Sequence, residues 1–230
     1  MLFRSPGGRV TTHDTLRATR RYTVQEKDAK AAPERPAKDS PMYAVSDAFR
    51  GARHWEMPFN DFNLQPLLPN RLSQSGPGLA CGDIDGDGDD DFFLGGCAGY
   101  LGTLLVNDGN GRFSRNAFTA AKRHQISEDL GALFFDADGD GDLDLYVVSG
   151  SVEAPPNHGS LTDRLYLNDG KGGFSSAPFG AVPLDPSSGS VVVAADYDRD
   201  GDLDLFVGGR VIPGSYPDAP RSRLLQNRGG

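Results

Sequence analysis

The chain has 230 residues, of which 37% are hydrophobic, and it carries 30 glycines, 16 prolines and a formal net charge of −9. This composition favours many short strands joined by turns over long helices, and the acidic balance disfavours nucleic-acid binding by the body of the protein. No apolar run approaches the length of a transmembrane helix, and the opening residues MLFRSPGG lack the apolar core of a signal peptide.

The first part of the chain differs from the rest. Residues 1–26 have a basic bias, and the segments GRVTTHDTL (8–16) and RRYTVQEK (20–27) predict a hairpin. Residues 27–41 combine alanine, proline and alternating charge without apolar periodicity, which indicates a linker. We expect residues 42–230 to form the main domain.

An acidic nine-residue pattern occurs three times in this domain. Its copies are DIDGDGDDD (83–91), DADGDGDLD (136–144) and DYDRDGDLD (196–204), so they start 53 and 60 residues apart. A second feature keeps nearly the same period, since Asn107, Asn168 and Asn227 are 61 and 59 residues apart. Repetition at about 60 residues indicates a repeat architecture, with a unit somewhat longer than the usual four-stranded propeller blade.

Each acidic loop lies between two short apolar runs, so each predicts a hairpin between two strands. The runs before and after the loops are Gly78–Cys81 and Phe92–Leu94, Ala132–Phe135 and Leu145–Val148, and Val191–Ala195 and Leu205–Val207. Asn-Asp-Gly at 107–109 and 168–170 predicts a second hairpin per unit. Two hairpins make a four-stranded unit. The sequence therefore predicts an all-β partial β-propeller of about three blades, near residues 74–126, 127–187 and 188–230.

The crowded carboxylates of these loops predict calcium sites. In a loop that curls around an ion, the side chains at positions 1, 3, 5 and 9 converge and the backbone carbonyl at position 7 adds a ligand, which suits the six to eight oxygens of Ca²⁺. A glycine at position 6 allows the sharp turn. The predicted ligands of about three Ca²⁺ ions are Asp83, Asp85, Asp87, Asp89 and Asp91; Asp136, Asp138, Asp140, Asp142 and Asp144; and Asp196, Asp198, Asp200, Asp202 and Asp204.

Other interpretations of the loops are weaker. An EF-hand needs a bidentate glutamate at position 12 and flanking helices, whereas Leu94, Val147 and Val207 occupy that position within predicted strands. Mg²⁺ prefers a smaller octahedral shell and retains its waters. The remaining alternative is three acidic, solvated turns without metal. The threefold repetition of register and glycine position favours calcium.

The loop pattern D-x-D-x-D-G-x-x-D between strands resembles the calcium loops of FG-GAP/VCBS repeats, the blades of integrin-α-like β-propellers. Longer stretches at 59–96, 163–174 (DRLYLNDGKGGF) and 202–222 resemble bacterial VCBS-repeat proteins related to cartilage acidic protein 1, which often carry an ASPIC/UnbV domain. The resemblance covers about residues 54–230, and residues 1–26 are similar to the tail of an ASPIC/UnbV domain. It implies a secreted or cell-surface calcium-binding propeller with no assigned ligand. Cys97 departs from the small residues usual after the double glycine.

Catalytic patterns are weak. Gly95–Gly99 has G-x-C-x-G spacing, but a nucleophile elbow leads from a strand into a helix, whereas the strand-like GTLLV follows here. We therefore interpret Cys97 as a small buried residue. It does not lie opposite Cys81 in a simple hairpin, so we expect no disulfide between them. The four histidines show no zinc spacing, and the cluster His54-Trp55-Glu56 is interpreted as rim packing.

These observations predict a non-catalytic, calcium-binding module that binds a protein or glycan or serves as a scaffold. The alternative is a propeller-scaffold enzyme acting on polysaccharide or another extracellular substrate. Calcium loops of extracellular modules can have dissociation constants of about 10⁻⁴–10⁻³ M, so we expect an extracellular, cell-surface or periplasmic location with any signal peptide upstream. Closed propellers have four to eight blades, and we therefore expect the remaining blades in a longer chain.

Overall fold

In a computed structural model of the chain, the described residues are 2–4, 10–12, 21, 23, 25, 27, 30 and 41–229. The chain divides into two compact units, Met1–Ser46 and Asp47–Gly230. In the first unit, β1 (Leu2–Arg4) pairs antiparallel with β2 (Val10–Thr12), and Val10 forms a bridge with Lys30. Most of the predicted hairpin and linker lies outside the described residues.

The second unit is all-β, as predicted, with three antiparallel sheets in each of which consecutive strands are neighbours. The first sheet contains β3 (Leu79–Gly82), β4 (Asp91–Leu94), β5 (Thr103–Asn107) and β6 (Phe113–Ala117). The second contains β7 (Glu128–Phe135), β8 (Asp144–Gly150), β9 (Arg164–Leu167) and β10 (Ser175–Ser176). The third contains β11 (Gly189–Ala195), β12 (Asp204–Gly209) and β13 (Arg223–Leu225). This is the strand arrangement of a partial β-propeller.

Within residues 41–229, helical structure is limited to three short 3₁₀ turns. These are Asp61–Asn63, Thr119–His124 and Gly159–Leu161. Among these residues, no helix is both long enough and apolar enough to pass through a membrane.

The acidic loops are hairpin connections, as their flanking runs predict. Position 9 of each loop is the first residue of the following strand, and it pairs with the last residue of the preceding one. These pairs are Gly82–Asp91, Phe135–Asp144 and Ala195–Asp204. The Asn-Asp-Gly segments begin the next hairpins, which join β5 to β6 and β9 to β10. The loop register is therefore the same in all three sheets.

Two apolar cores lie between neighbouring sheets. Phe93 of the first sheet packs with Leu145 and Tyr166 of the second, and Tyr146 of the second sheet packs with Val207 of the third. The alternation of side chains along a strand explains this division, because successive residues of β8 contribute to opposite faces of their sheet. The second sheet is thus covered by apolar side chains on both faces.

The innermost strands β3, β7 and β11 lie side by side. A Cβ atom on Gly131 would lie 2.6 Å from the backbone oxygen of Ser190. No side chain fits at that distance, so glycine permits the close approach of the second and third sheets.

One face of the third sheet is not covered by described residues. Val193, Phe206 and Leu224 are neighbours across its strands and are 53%, 47% and 51% exposed. Their counterparts in the second sheet, one repeat earlier, all contribute to the core against the third sheet; they are Leu133, Tyr146 and Leu165. The same repeat positions are therefore packed into a core in the second sheet and exposed in the third.

Candidate metal centre

Each acidic loop brings the carboxylates of positions 1, 3 and 9 together. In every group, one oxygen from each of the three side chains lies within 4.8 Å of the others. The groups are Asp83, Asp85 and Asp91; Asp136, Asp138 and Asp144; and Asp196, Asp198 and Asp204. Three carboxylates at this separation repel one another in the absence of a cation. The same convergence recurs in three loops, and each of these groups could hold a cation.

The position-9 aspartate also has a structural role. Asp144 is buried, and its two carboxylate oxygens accept the backbone N–H groups of Ala137 and Asn168, each at 2.9 Å. Asp91 and Asp204 accept the equivalent pairs of N–H groups in their own sheets. The carboxylate therefore links the acidic loop to the start of the second hairpin.

The position-1 aspartate shapes the turn. Asp136 accepts the N–H groups of Gly139 at 2.8 Å and Gly141 at 3.1 Å, and Asp83 and Asp196 do the same in their loops. Gly141 has a φ of +97°, which L side chains rarely adopt. The expected sharp turn at position 6 is therefore present in the structure, with the N–H groups directed at the first carboxylate.

Positions 5 and 7 are arranged differently. The side chains at position 5, Asp87, Asp140 and Asp200, are not members of the three groups. Each accepts the backbone N–H of the residue at position 7, at 3.0, 3.1 and 3.0 Å. Those residues are Asp89, Asp142 and Asp202. The structure thus brings together three of the four predicted side-chain ligands of each loop, and coordination by positions 5 and 7 stays a prediction.

The electrostatics of the loops suit a bound cation. Asp85 Oδ1 and Asp142 Oδ1 are shielded from solvent and accept no hydrogen bond from the described residues. Burial and repulsion from Asp87 and Asp91 raise the pKa of Asp85. Burial and the neighbouring Asp140 raise the pKa of Asp142 to about 6. A divalent cation in the first loop would supply a partner for Asp85 Oδ1 and remove the repulsion there, so the carboxylates present fit a calcium ion.

The repeated asparagines connect neighbouring sheets, which sequence reasoning missed because it assigned them only to turns. Asn168 Nδ2 donates to the backbone oxygen of Ile84, at position 2 of the first acidic loop, at 2.8 Å. Asn227 Nδ2 donates in the same way to Ala137 of the second loop, at 2.9 Å. The asparagines and the acidic loops repeat with nearly the same period, and this was the sequence signal that could have indicated the contact. The first and second loops are therefore each held by the asparagine that follows the third strand of the next sheet.

A further group of possible metal ligands lies at the opposite ends of the strands. Glu56, Cys97 and Glu128 each offer one donor atom, and these atoms lie within 4.8 Å of one another. Burial, with repulsion from Glu153 and Glu56, raises the pKa of Glu128 to about 8. Burial, with nearby Glu128, raises the pKa of the Cys97 thiol to about 11.

Cys97 is buried, as expected, and both it and Cys81 are free thiols. The sequence did not reveal its grouping with Glu56 and Glu128, because the three residues come from separate parts of the chain with no recognisable metal spacing. The side chain of His54 contacts Glu56, at 2.8 Å between Nε2 and Oε1.

Comparison with known proteins places the acidic loops within a family. No curated protein matches the chain. A family model described as FG-GAP-like repeat matches twice, over residues 83–147 and 136–207, which together cover more than half of the chain. Each match begins at the first aspartate of an acidic loop and extends into the strand after the next loop. The chain therefore belongs to the FG-GAP-like repeat family.

Proposed function

We propose that this chain is a non-catalytic, calcium-binding β-propeller module of an extracellular, cell-surface or periplasmic protein. It holds about three Ca²⁺ ions in its acidic loops and binds a protein or a glycan. The observation that carries the proposal is the convergence of three carboxylates in each of three loops of identical register. FG-GAP-like repeats, to which the chain belongs, are often calcium-binding modules of extracellular proteins.

The donor chemistry favours calcium over other cations. The three groups contain only carboxylate oxygens, which are the hard ligands that Ca²⁺ prefers. Half of the 32 acidic residues lie in the three loops, and three divalent ions would offset six of the nine excess negative charges. Backbone carbonyls and water would complete the six to eight ligands of each ion.

Calcium in this arrangement would stabilise the connection between sheets. Asp144 belongs to a carboxylate group and also accepts the N–H of Asn168, whose side chain donates to Ile84 of the preceding sheet. An ion that orders the loop therefore also orders the hairpin bonded to it. The proposed role of the metal is structural, because bound calcium would hold these carboxylates ionised and unavailable as general acids.

The proposed ligand-binding surface lies away from the acidic loops. A cavity of about 870 Å³ is lined by Trp55, Tyr100, Arg115 and Gln125, among other residues. The Trp55 and Tyr100 rings stack at 6.2 Å between centroids and are 56% and 46% exposed. Exposed aromatic rings beside a guanidinium offer apolar and hydrogen-bonding contacts to a sugar or a peptide.

The finer resemblance, to bacterial proteins related to cartilage acidic protein 1 with an ASPIC/UnbV domain, is also part of this proposal.

Calorimetric titration with Ca²⁺ after chelator treatment tests the metal assignment. We expect about three sites, and Asp85→Asn should weaken one of them by at least tenfold. Asp90→Asn is the matched control, because it removes the same charge from an exposed residue of the same loop that is not in the carboxylate group. Absence of calcium binding, or equal losses in the two variants, would refute the assignment.

A glycan and protein binding screen with and without calcium tests the binding role. Trp55→Ala should abolish a specific interaction detected in that screen while leaving calcium binding unchanged. Turnover of a polysaccharide by the purified chain would instead support the enzyme alternative.

A further inference from the structure

A buried side-chain cluster, separate from the acidic loops, has the composition of a second metal site. Glu56 precedes the first sheet, Cys97 follows β4, and Glu128 begins β7. The acidic loops join the other ends of these strands, so the cluster lies at the opposite end of the sheets. Cys97 is 0% exposed and Glu128 is 4% exposed.

The hydrogen bonds of Glu56 leave one of its oxygens available. Gly95 O can only accept, so His54 Nδ1 donates to it at 2.9 Å, while Nε2 lies 2.8 Å from Glu56 Oε1. Because both ring nitrogens face oxygen atoms, the pair holds a proton on Nε2 or on the carboxyl group. His54 thereby fixes Glu56 Oε1. Glu56 Oε2 has no contact with solvent and no hydrogen-bond partner among the described residues.

Glu153 adds a further unpaired oxygen. Its side chain lies against Glu128, and its Oε1 is shielded from solvent and lacks a hydrogen-bond partner among the described residues. Glu128 Oε1 accepts the N–H of Ala98 at 2.7 Å. The nearby Arg164 guanidinium is engaged by Asp129 at 2.6 Å. Buried carboxylate oxygens without partners are costly, and these unpaired oxygens favour a cation independently of the clustering itself.

We propose that Glu56, Cys97 and Glu128 bind a transition-metal cation of the Zn²⁺ class, with Glu153 beside them as an additional carboxylate. Zn²⁺ binds thiolate, imidazole and carboxylate in a tetrahedral shell, often with three protein ligands and one open position. Ca²⁺ and Mg²⁺ take oxygen ligands, and a buried thiol therefore selects against them. His54 acts as a positioning residue, because its hydrogen bond orients the Glu56 carboxylate.

The observed separations are compatible with this assignment. Zn–O distances of about 2.0 Å and a Zn–S distance of about 2.3 Å place tetrahedral donors roughly 3.3–3.5 Å apart. The donors lie within 4.8 Å of one another, so the side chains have to approach by at most about 1.5 Å. Metal binding would also release the proton of the Cys97 thiol, since the thiolate is the ligand.

Zinc titration of the 230-residue chain in excess Ca²⁺ tests the proposal, because calcium then competes for the acidic loops. We expect one zinc equivalent with an affinity at least tenfold weaker in Cys97→Ser and in Glu128→Gln. Asp138→Asn is the control, because it changes an acidic loop and should leave this zinc site intact. Zinc binding that is unchanged in Cys97→Ser, or lost only in Asp138→Asn, would overturn the proposal.

Cobalt substitution provides a readout that does not depend on the folding of variants. Co²⁺ added to the unmodified chain should give a thiolate-to-cobalt charge-transfer band in the near ultraviolet, and equimolar Zn²⁺ should abolish it. Reaction of Cys97 with a thiol reagent under mild denaturation should slow when Zn²⁺ is present. A cobalt complex without the charge-transfer band would exclude Cys97 as a ligand, whatever the result for calcium in the acidic loops.

Discussion

Replacing Asp144 by alanine separates the structural role of the position-9 carboxylate from its proposed calcium role. Its two oxygens accept the backbone N–H groups of Ala137 and Asn168, and the side chain is buried. The substitution leaves both donors without an acceptor. Asp138 is the matched comparison, because it belongs to the same carboxylate group but is exposed and accepts no hydrogen bond from the described residues.

The expected magnitude follows from these two bonds. A donor that loses its partner costs about 1–3 kcal/mol when it is shielded from water, and these two N–H groups are partly buried, so Asp144→Ala removes up to about 2–6 kcal/mol of stability from the hydrogen bonds alone. Burial and repulsion from Asp138 and Asp140 raise the pKa of Asp144. Removing this carboxylate also removes the repulsion, which offsets part of the loss of stability. The net loss should therefore be about 2–4 kcal/mol, or roughly 4–16 °C in melting temperature.

Thermal melts of both variants, each with chelator and with millimolar Ca²⁺, measure the two roles. Asp144→Ala should be destabilised in both conditions. Asp138→Ala should melt within about 0.5 kcal/mol of the unmodified chain in chelator, and it should lose part of the stabilisation by calcium. Asp144→Asn, which retains one acceptor, should be intermediate. The structural reasoning is refuted if Asp144→Ala and Asp138→Ala are equally stable in chelator.

Three further predictions concern charge, the contact between sheets and solution state. In chelator, the free energy of unfolding should increase as the pH is lowered from 7 to 5. A raised pKa, about 6 for Asp142, means that the folded chain binds protons more tightly than the unfolded chain. Saturating Ca²⁺ should flatten this pH dependence, and a free energy of unfolding in chelator that falls between pH 7 and pH 5 would contradict the prediction. Asn168→Ala, which removes bonds to Ile84 O and Leu143 O, should cost about 1–2 kcal/mol in urea unfolding; an unchanged midpoint would show that this link contributes nothing. The chain should self-associate through its exposed apolar face, and Phe206→Ser should lower the mass measured by light scattering; a monodisperse monomer before substitution would refute this.

The repeated acidic pattern was sufficient to predict the all-β fold and the hairpin position of each loop. Strand pairing and turn formation depend on residues close in sequence, so an apolar run, nine loop residues and a second apolar run already define a hairpin. The positive φ of Gly141 was predictable for the same reason. The convergence of positions 1, 3 and 9 within a loop is likewise a local property, whereas coordination by positions 5 and 7 stays a prediction.

Contacts between sheets were not accessible from these local patterns. Asn168 is 84 residues from Ile84, whose backbone oxygen its side chain reaches, and turn chemistry alone explained the presence of an asparagine. The group of Glu56, Cys97 and Glu128 has no motif, because its three members meet only when the segment before the first sheet, the end of β4 and the start of β7 are brought together. Sequence periodicity specifies which residues form one hairpin, whereas the packing of sheet on sheet decides which distant side chains share a buried site.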